Sequence, residues 1–174
     1  MKKLLIVVDF QNDFVDGALG FPKARELEAV ILDKIKEYRA NGDEVAFTFD
    51  THGEDYLDTL EGKNLPVIHC LKHSYGWRLY GGLQDAILES DKRFYKETFG
   101  SVELFDHLRE NSYSRIELAG LVSNICVLTN AALAKTAQPQ TEVIIDKKAV
   151  ASFDDEMNEK CLDILKGIHV SVIS

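Results

Sequence analysis

The stretch Ile116-Glu117-Leu118-Ala119-Gly120-Leu121-Val122-Ser123-Asn124-Ile125-Cys126-Val127 reads as an apolar strand that turns through glycine into a helix continuing over Leu128 to Lys135. A strand that passes so directly into a helix is the repeating unit of an α/β sheet. It puts Cys126 in the first turn of a helix, where unpaired backbone N–H groups and the positive end of the helix dipole favour an anion. A thiol placed there can be held as thiolate at neutral pH, and the same N–H groups can receive an oxyanion. A cysteine taken alone is as readily a packed core residue. The other strand ends decide whether it meets chemical partners.

Outward from this turn, strand and helix patterns alternate. Leu4 to Val8 is a continuous apolar run rich in β-branched residues, as expected of a central parallel strand covered on both faces, and it stops at Asp9. Ala24 to Ala40 carries Leu27, Val30, Ile31, Ile35 and Tyr38 at helical spacing and closes at Asn41-Gly42. Glu44 to Phe49 returns as a strand ending at Asp50, which completes a right-handed β-α-β unit. Helices are expected over Trp77 to Leu88, Val102 to Leu108 and about Asp154 to Lys166, and strands over Lys92 to Tyr95, Thr141 to Ile145 and Ile168 to Ile173. The pattern predicts an α/β fold, a three-layer α/β/α arrangement with a central, mainly parallel sheet of about six strands. Thr51 to Ser74 lacks periodicity and is longer than a passive connection needs, so function is expected within it.

The 174 residues suit one domain with a real core, and 45% hydrophobic with 28% charged residues is a globular composition. A formal net charge of −9 without any basic run argues against nucleic acid as a partner. Met1-Lys2-Lys3 followed by Leu4 to Val8 imitates a signal peptide, but Asp9 cuts the apolar stretch short and no small-residue cleavage site follows. No run approaches the roughly 18 apolar residues of a membrane span. Cys70, Cys126 and Cys161 are an odd set without paired spacing, which suits a reducing, cytoplasmic location. Homo-oligomerisation is left open by the sequence.

In open α/β sheets reactive groups gather beyond the carboxyl ends of the strands. Asp9, Asp50, Lys96 and Cys126 all fall at or just past such ends. Asp9 is suited to accept the Cys126 proton while Lys96 supplies positive charge beside both. In Asp50-Thr51-His52 the residues two apart point the same way on an extended chain, and with Glu61 and His69 they form an oxygen and nitrogen ligand set. Such a set suits zinc, with manganese or iron as alternatives, rather than calcium. His73, four residues past His69, forms a rival pair if the segment is helical, but an exposed loop position is expected for it. Phe14 and Phe99, shortly after Asp9 and Lys96, are placed to wall a pocket for a flat substrate. Neither a G-x-G-x-x-G after the first strand nor a G-x-x-x-x-G-K-[ST] is present, so nucleotide binding has no support.

Taken together, Asp9-Phe10-Gln11-Asn12-Asp13-Phe14, Asp50-Thr51-His52, His69-Cys70, Lys96-Glu97-Thr98-Phe99 and Gly120 to Val127 resemble the isochorismatase-like cysteine hydrolases, and within them the nicotinamidases. The match runs in order over nearly the whole chain, so residues 1–174 are expected to be a single domain of that kind. The resemblance implies a catalytic triad of Asp9, Lys96 and Cys126, and a divalent metal held by Asp50, His52 and His69 with Glu61 as an extra carboxylate. It also implies a cis peptide between Leu121 and Val122, which aims the Val122 N–H beside that of Cys126 at an oxyanion. The implied reaction is hydrolysis of nicotinamide, or a close aromatic carboxamide, to the acid and ammonia through a thioester. Many nicotinamidases carry tryptophan just before the first metal histidine, where this chain has Thr51. The isochorismate-cleaving branch lacks the cysteine, so Cys126 argues against that reaction. An N-carbamoyl or ureido substrate, or a non-catalytic small-molecule-binding domain, are the alternative readings.

Overall fold

The computed structural model describes residues 1–174. Six strands, β1 (Lys3–Val8), β2 (Glu44–Asp50), β3 (Lys92–Lys96), β4 (Arg115–Gly120), β5 (Glu142–Val150) and β6 (Ser171–Ile173), form one sheet in the order β3-β2-β1-β4-β5-β6, with every pairing parallel. The apolar run of β1 explains its central place. Leu4, Ile6 and Val8 point into one core with Leu104, Leu108, Ala131, Leu162 and Leu165, while Leu5 and Val7 point into the other with Leu27, Ile31 and Ile35. Alternation at period two thus buries both faces, as a sheet covered by helices on each side requires.

The helices are α1 (Asn12–Val15), α2 (Pro22–Ala40), α3 (Leu60–Asn64), α4 (Leu83–Ala86), α5 (Val102–Glu110), α6 (Leu128–Ala137) and α7 (Asp155–Gly167). The chain proceeds from β1 outward through β2 to β3, then returns to the far side of β1 with β4. This reversal makes the β1/β4 boundary the topological switch point, where a crevice opens beyond the strand ends. Gly120 closes β4 there with φ 117°, and a Cβ on it would lie 2.1 Å from the Val8 carbonyl oxygen. Only glycine fits between the two strands at that height.

Three sequence expectations shift. The helix expected over Trp77 to Leu88 shrinks to the single turn of α4. Upstream of it, Asn12 donates its backbone N–H to Arg78 and Tyr80 donates to Phe10, so Arg78 to Tyr80 are spent on the loop after β1, and Gly81 (φ 53°) breaks the helical path. β6 begins at Ser171 instead of Ile168, because His169 and Val170 close α7 by donating to Lys166 and Leu165 (both 3.0 Å). β5 continues past Ile145 to Val150 despite its polar middle, where Asp146 pairs with Lys34 at 2.8 Å. The long segment after β2 holds a 3₁₀ turn (Tyr56–Asp58) and α3, which Thr59 caps by accepting from the Gly62 N–H at 3.0 Å. No helix is long and apolar enough to cross a membrane.

Candidate active site

Asp9 follows β1 directly, with φ 46°, and is fully buried. Thr48 of the neighbouring strand orients it, accepting from the Asp9 backbone N–H and donating its hydroxyl to Oδ1 at 2.6 Å. The other oxygen, Oδ2, lies 2.6 Å from Lys96 Nζ. Lys96, the last residue of β3, also donates to the Thr98 carbonyl (2.9 Å) and reaches Asp50 Oδ1 at 3.5 Å and Cys126 Sγ at 3.6 Å. The ends of β1, β2 and β3 and the turn after β4 therefore converge on one ammonium group.

Cys126 lies in a widened turn, Ser123–Val127, in which the Val127 N–H reaches back to the Val122 carbonyl at 3.2 Å. Leu121 and Val122 enter that turn through a cis peptide bond. The Val122 N–H has no acceptor in the protein, so it is free to serve an oxyanion. Asn130, completely buried, donates to the carbonyls of Cys126 (2.8 Å) and Phe99 (3.0 Å) and accepts from the Ser101 N–H (3.0 Å). One side chain thereby ties the cysteine turn to the loop that carries Phe99.

The electrostatics run against a resting thiolate. Burial, reinforced by the Asp9 carboxylate, raises the Cys126 thiol well above its ordinary range, and Lys96 only partly opposes this. Burial also raises Asp9, against the pull of Lys96. Burial alone would lower Lys96, but Asp9, Cys126 and Asp50 together raise it, so it stays an ammonium. Burial thus pushes both the thiol and the carboxyl toward their neutral forms, with the Lys96 ammonium opposing the shift at each. The helix start does not outweigh complete desolvation next to two carboxylates.

Beside this triad Asp50, His52, Glu61 and His69 present ligand atoms that all lie within 4.8 Å of one another. Asp50 Oδ2 is 3.0 Å from His52 Nε2 and 3.2 Å from His69 Nε2, and Glu61 Oε1 is 3.7 and 3.9 Å from the same nitrogens. His69 Nδ1 faces the Val67 carbonyl at 2.7 Å, which leaves Nε2 free to bind an ion. The Tyr56 ring packs against both imidazoles, with centroids 4.6 and 5.0 Å away. Two imidazoles and two carboxylates at this spacing fit a divalent transition metal. Burial disfavours a charged Asp50, yet hydrogen bonds to His52 and His69 and the charge of Lys96 hold its carboxyl far below the usual range. It is an anion ready to bind.

Two more side chains, quoted above within the motif after β1 but given no role there, hold this cluster in place. Gln11, fully buried, accepts from the Asp50 N–H (2.8 Å) and donates to the Asp50 (2.9 Å) and Trp77 (2.8 Å) carbonyls. Asp13 accepts from the Cys70 N–H at 2.8 Å, next to His69. Both lie in the short stretch after β1, and only their tertiary partners reveal their use. His73, by contrast, is exposed at φ 71° in a turn and stays outside the cluster, its ring packed against Trp77.

A cavity of about 460 Å³ joins the two centres. Phe14, Phe99 and Phe153 line it together with Val122 and Cys126 and with Asp50, Glu61 and His69. Phe14 and Phe99 stand where the sequence reading puts them, whereas Phe153 lies on the strand-to-helix loop after β5, where no pattern marks it. Thr51 is absent from the walls. Its hydroxyl donates to the Phe49 carbonyl (3.0 Å) and accepts from the Trp77 indole (2.9 Å), so its side chain is committed away from the cavity. A more polar groove of about 930 Å³ adjoins along Glu61, Leu65, Phe99 and Ile125.

The isochorismatase domain model matches residues 3–174. The uncharacterized isochorismatase family protein PncA of Bacillus subtilis (strain 168) is 35% identical over 168 residues, covering 90% of each chain. Among solved structures, the nicotinamidase PncA from Bacillus subtilis superposes with a TM-score of 0.87 at 31% identity over 100% of both chains. The pyrazinamidase of Pyrococcus horikoshii in complex with zinc has the same fold, with a TM-score of 0.87 at 24% identity over 100% of this chain and 99% of that one. With a buried cysteine turn, a buried lysine and a cluster able to hold a metal converging on the switch point of an all-parallel sheet, and with these matches over its length, the chain belongs to the isochorismatase family.

Proposed function

We propose that the protein is a metal-dependent cysteine amidohydrolase that converts nicotinamide, or a close aromatic carboxamide, to the acid and ammonia. The observation that carries this reading is the single aromatic-lined cavity shared by Cys126, which has Lys96 and through it Asp9 beside it, and by Asp50, Glu61 and His69 of the two-histidine, two-carboxylate cluster. Relatives named nicotinamidase and pyrazinamidase support the same reading. So does the removal of Thr51 from the walls, which leaves Phe14, Phe99 and Phe153 as the aromatic lining.

Asp9 accepts the thiol proton as the Cys126 sulfur attacks the carboxamide carbon, and the N–H groups of Val122 and Cys126 hold the resulting oxyanion. Lys96 keeps the transient carboxylate and thiolate charges balanced. When the C–N bond breaks, Asp9 returns the proton to the departing nitrogen and ammonia leaves a thioester on Cys126. Water then attacks the acyl carbon while Asp9 takes its proton, and cleavage of the C–S bond releases the acid and restores the thiol. Asp50, His52, Glu61 and His69 would hold a divalent ion, zinc by the donor set, that supplies a Lewis-acid contact orienting the pyridine nitrogen.

Ammonia release from nicotinamide and pyrazinamide beside N-carbamoyl and ureido compounds, with metal content measured on the same preparation, tests this reading. Rapid release from nicotinamide with about one metal per chain is expected. Turnover restricted to ureido compounds would move the substrate, and silence on every amide would leave a binding domain.

A further inference from the structure

Phe153 differs from the other walls of the cavity. Phe14 is 8% exposed and packs edge-on against His69, with ring centroids 5.6 Å apart, so its position is fixed from behind. Phe153 is 65% exposed, and its aromatic neighbour is Phe21, met edge-on at 6.3 Å. The backbone that carries it is, in contrast, firmly tied to the nucleophile turn. The Ser123 N–H donates to the Ala151 carbonyl (2.8 Å), and the Ser123 hydroxyl donates to Asn158 of α7 (2.6 Å). Cys161 of the same helix donates its thiol to the Ser123 carbonyl (3.1 Å). A loosely packed ring on an anchored backbone beside Cys126 leaves apolar surface in water that a bound ring would cover.

We infer that Phe153 is a substrate-contacting specificity residue: it covers the open side of a flat aromatic ring whose other side lies against the fixed wall of Phe14, and so selects aromatic over aliphatic amides. The inference deepens the amidase reading above and names the substrate feature that the site selects. Because the Phe153 side chain carries no group that can exchange a proton or bind an ion, its effect belongs to ring binding and not to the chemical step. Its exposure also means that truncation leaves no cavity in the core, so the variant is expected to fold.

The test is equilibrium binding by calorimetry, using zinc-loaded protein carrying Cys126→Ala so that no turnover intervenes. Nicotinamide and the aliphatic propionamide are compared with and without Phe153→Ala, and with Phe153→Trp. Loss of the ring contact should weaken nicotinamide roughly tenfold and propionamide less than about twofold, the tenfold step being what some tens of Å² of apolar contact supply. Phe153→Trp should retain nicotinamide binding. Equal weakening of both amides, unchanged nicotinamide affinity in Phe153→Ala, or no nicotinamide binding with Phe153 present would overturn the inference. Phe153-dependent binding without ammonia release by the Cys126-containing enzyme would instead leave the ring contact standing and remove the amidase reading.

Discussion

Replacing Asn130 by alanine should damage both stability and turnover, and the size of the first effect follows from its contacts. The side chain is 0% exposed and makes three hydrogen bonds, to Cys126 O (2.8 Å), Phe99 O (3.0 Å) and Ser101 N (3.0 Å). At about 1 kcal/mol net for each bond the loss is about 3 kcal/mol, and the orphaned Phe99 carbonyl and Ser101 N–H push it upward. For a chain of this length each kcal/mol lowers the melting temperature by about 2–4 °C, which gives a drop of roughly 6–12 °C. Asn130→Asp is the sharper variant, since it keeps volume and the acceptor for Ser101 but turns an oxygen toward two carbonyls. It should be at least as destabilising as alanine. Thermal unfolding followed by circular dichroism measures the drop, and ammonia release at a temperature where both variants are folded should show a lower kcat. A melting temperature within about 2 °C of the parent, with unchanged kcat, would refute the role of Asn130 as the tie between the nucleophile turn and the Phe99 loop.

Lys96→Met leaves Asp9 and Asp50 buried without their shared cation, so a loss of about 3–5 kcal/mol in chemical denaturation and loss of turnover are expected. Asp50→Ala should lower the metal content found by elemental analysis while the far-ultraviolet spectrum is retained; an unchanged content would remove Asp50 from the ligand set. Gln11→Leu orphans the Asp50 N–H and should weaken metal retention under chelator challenge even though Gln11 contacts no ion. Away from the site, burial raises the Asp146 carboxyl, but the hydrogen bonds from Lys34 and the Lys148 N–H together with the charges of both lysines outweigh it and hold the group below its ordinary 3.8. A carboxyl depressed in the folded state stabilises above its unfolded value and loses that contribution as pH falls through the folded one. The melting gap between parent and Asp146→Asn should therefore be full near neutrality and shrink once the pH drops below about 3.8; an equal gap at both pH values would contradict the pairing.

Much of the sheet was legible because its signals are local. β1 announces itself as an unbroken apolar run, and the helical stripe of α2 needs no tertiary knowledge. The same locality put Asp9, Asp50, Lys96 and Cys126 on strand ends, from which a common crevice follows by topology. The segment from Trp77 to Leu88 misled because its apolar spacing is helical while its backbone is drawn into pairing with the loop after β1, a long-range demand invisible in a window of neighbours. Gln11, Thr48 and Asn130 were opaque for a related reason. Each is a common polar residue with a decisive partner 29 or more positions away. The upward push on the thiol was hidden too, since a helix start is visible in sequence and the depth of burial that works against it is not.

The central claim is a thioester on Cys126, and hydroxylamine partitioning tests it most directly. Hydroxylamine added during nicotinamide turnover competes with water for an acyl-enzyme, so the hydroxamate should form in proportion to hydroxylamine while ammonia release persists, and both products should vanish in Cys126→Ala. Ammonia release that continues without any hydroxamate, or hydroxamate formation that survives Cys126→Ala, would contradict a covalent intermediate at this residue.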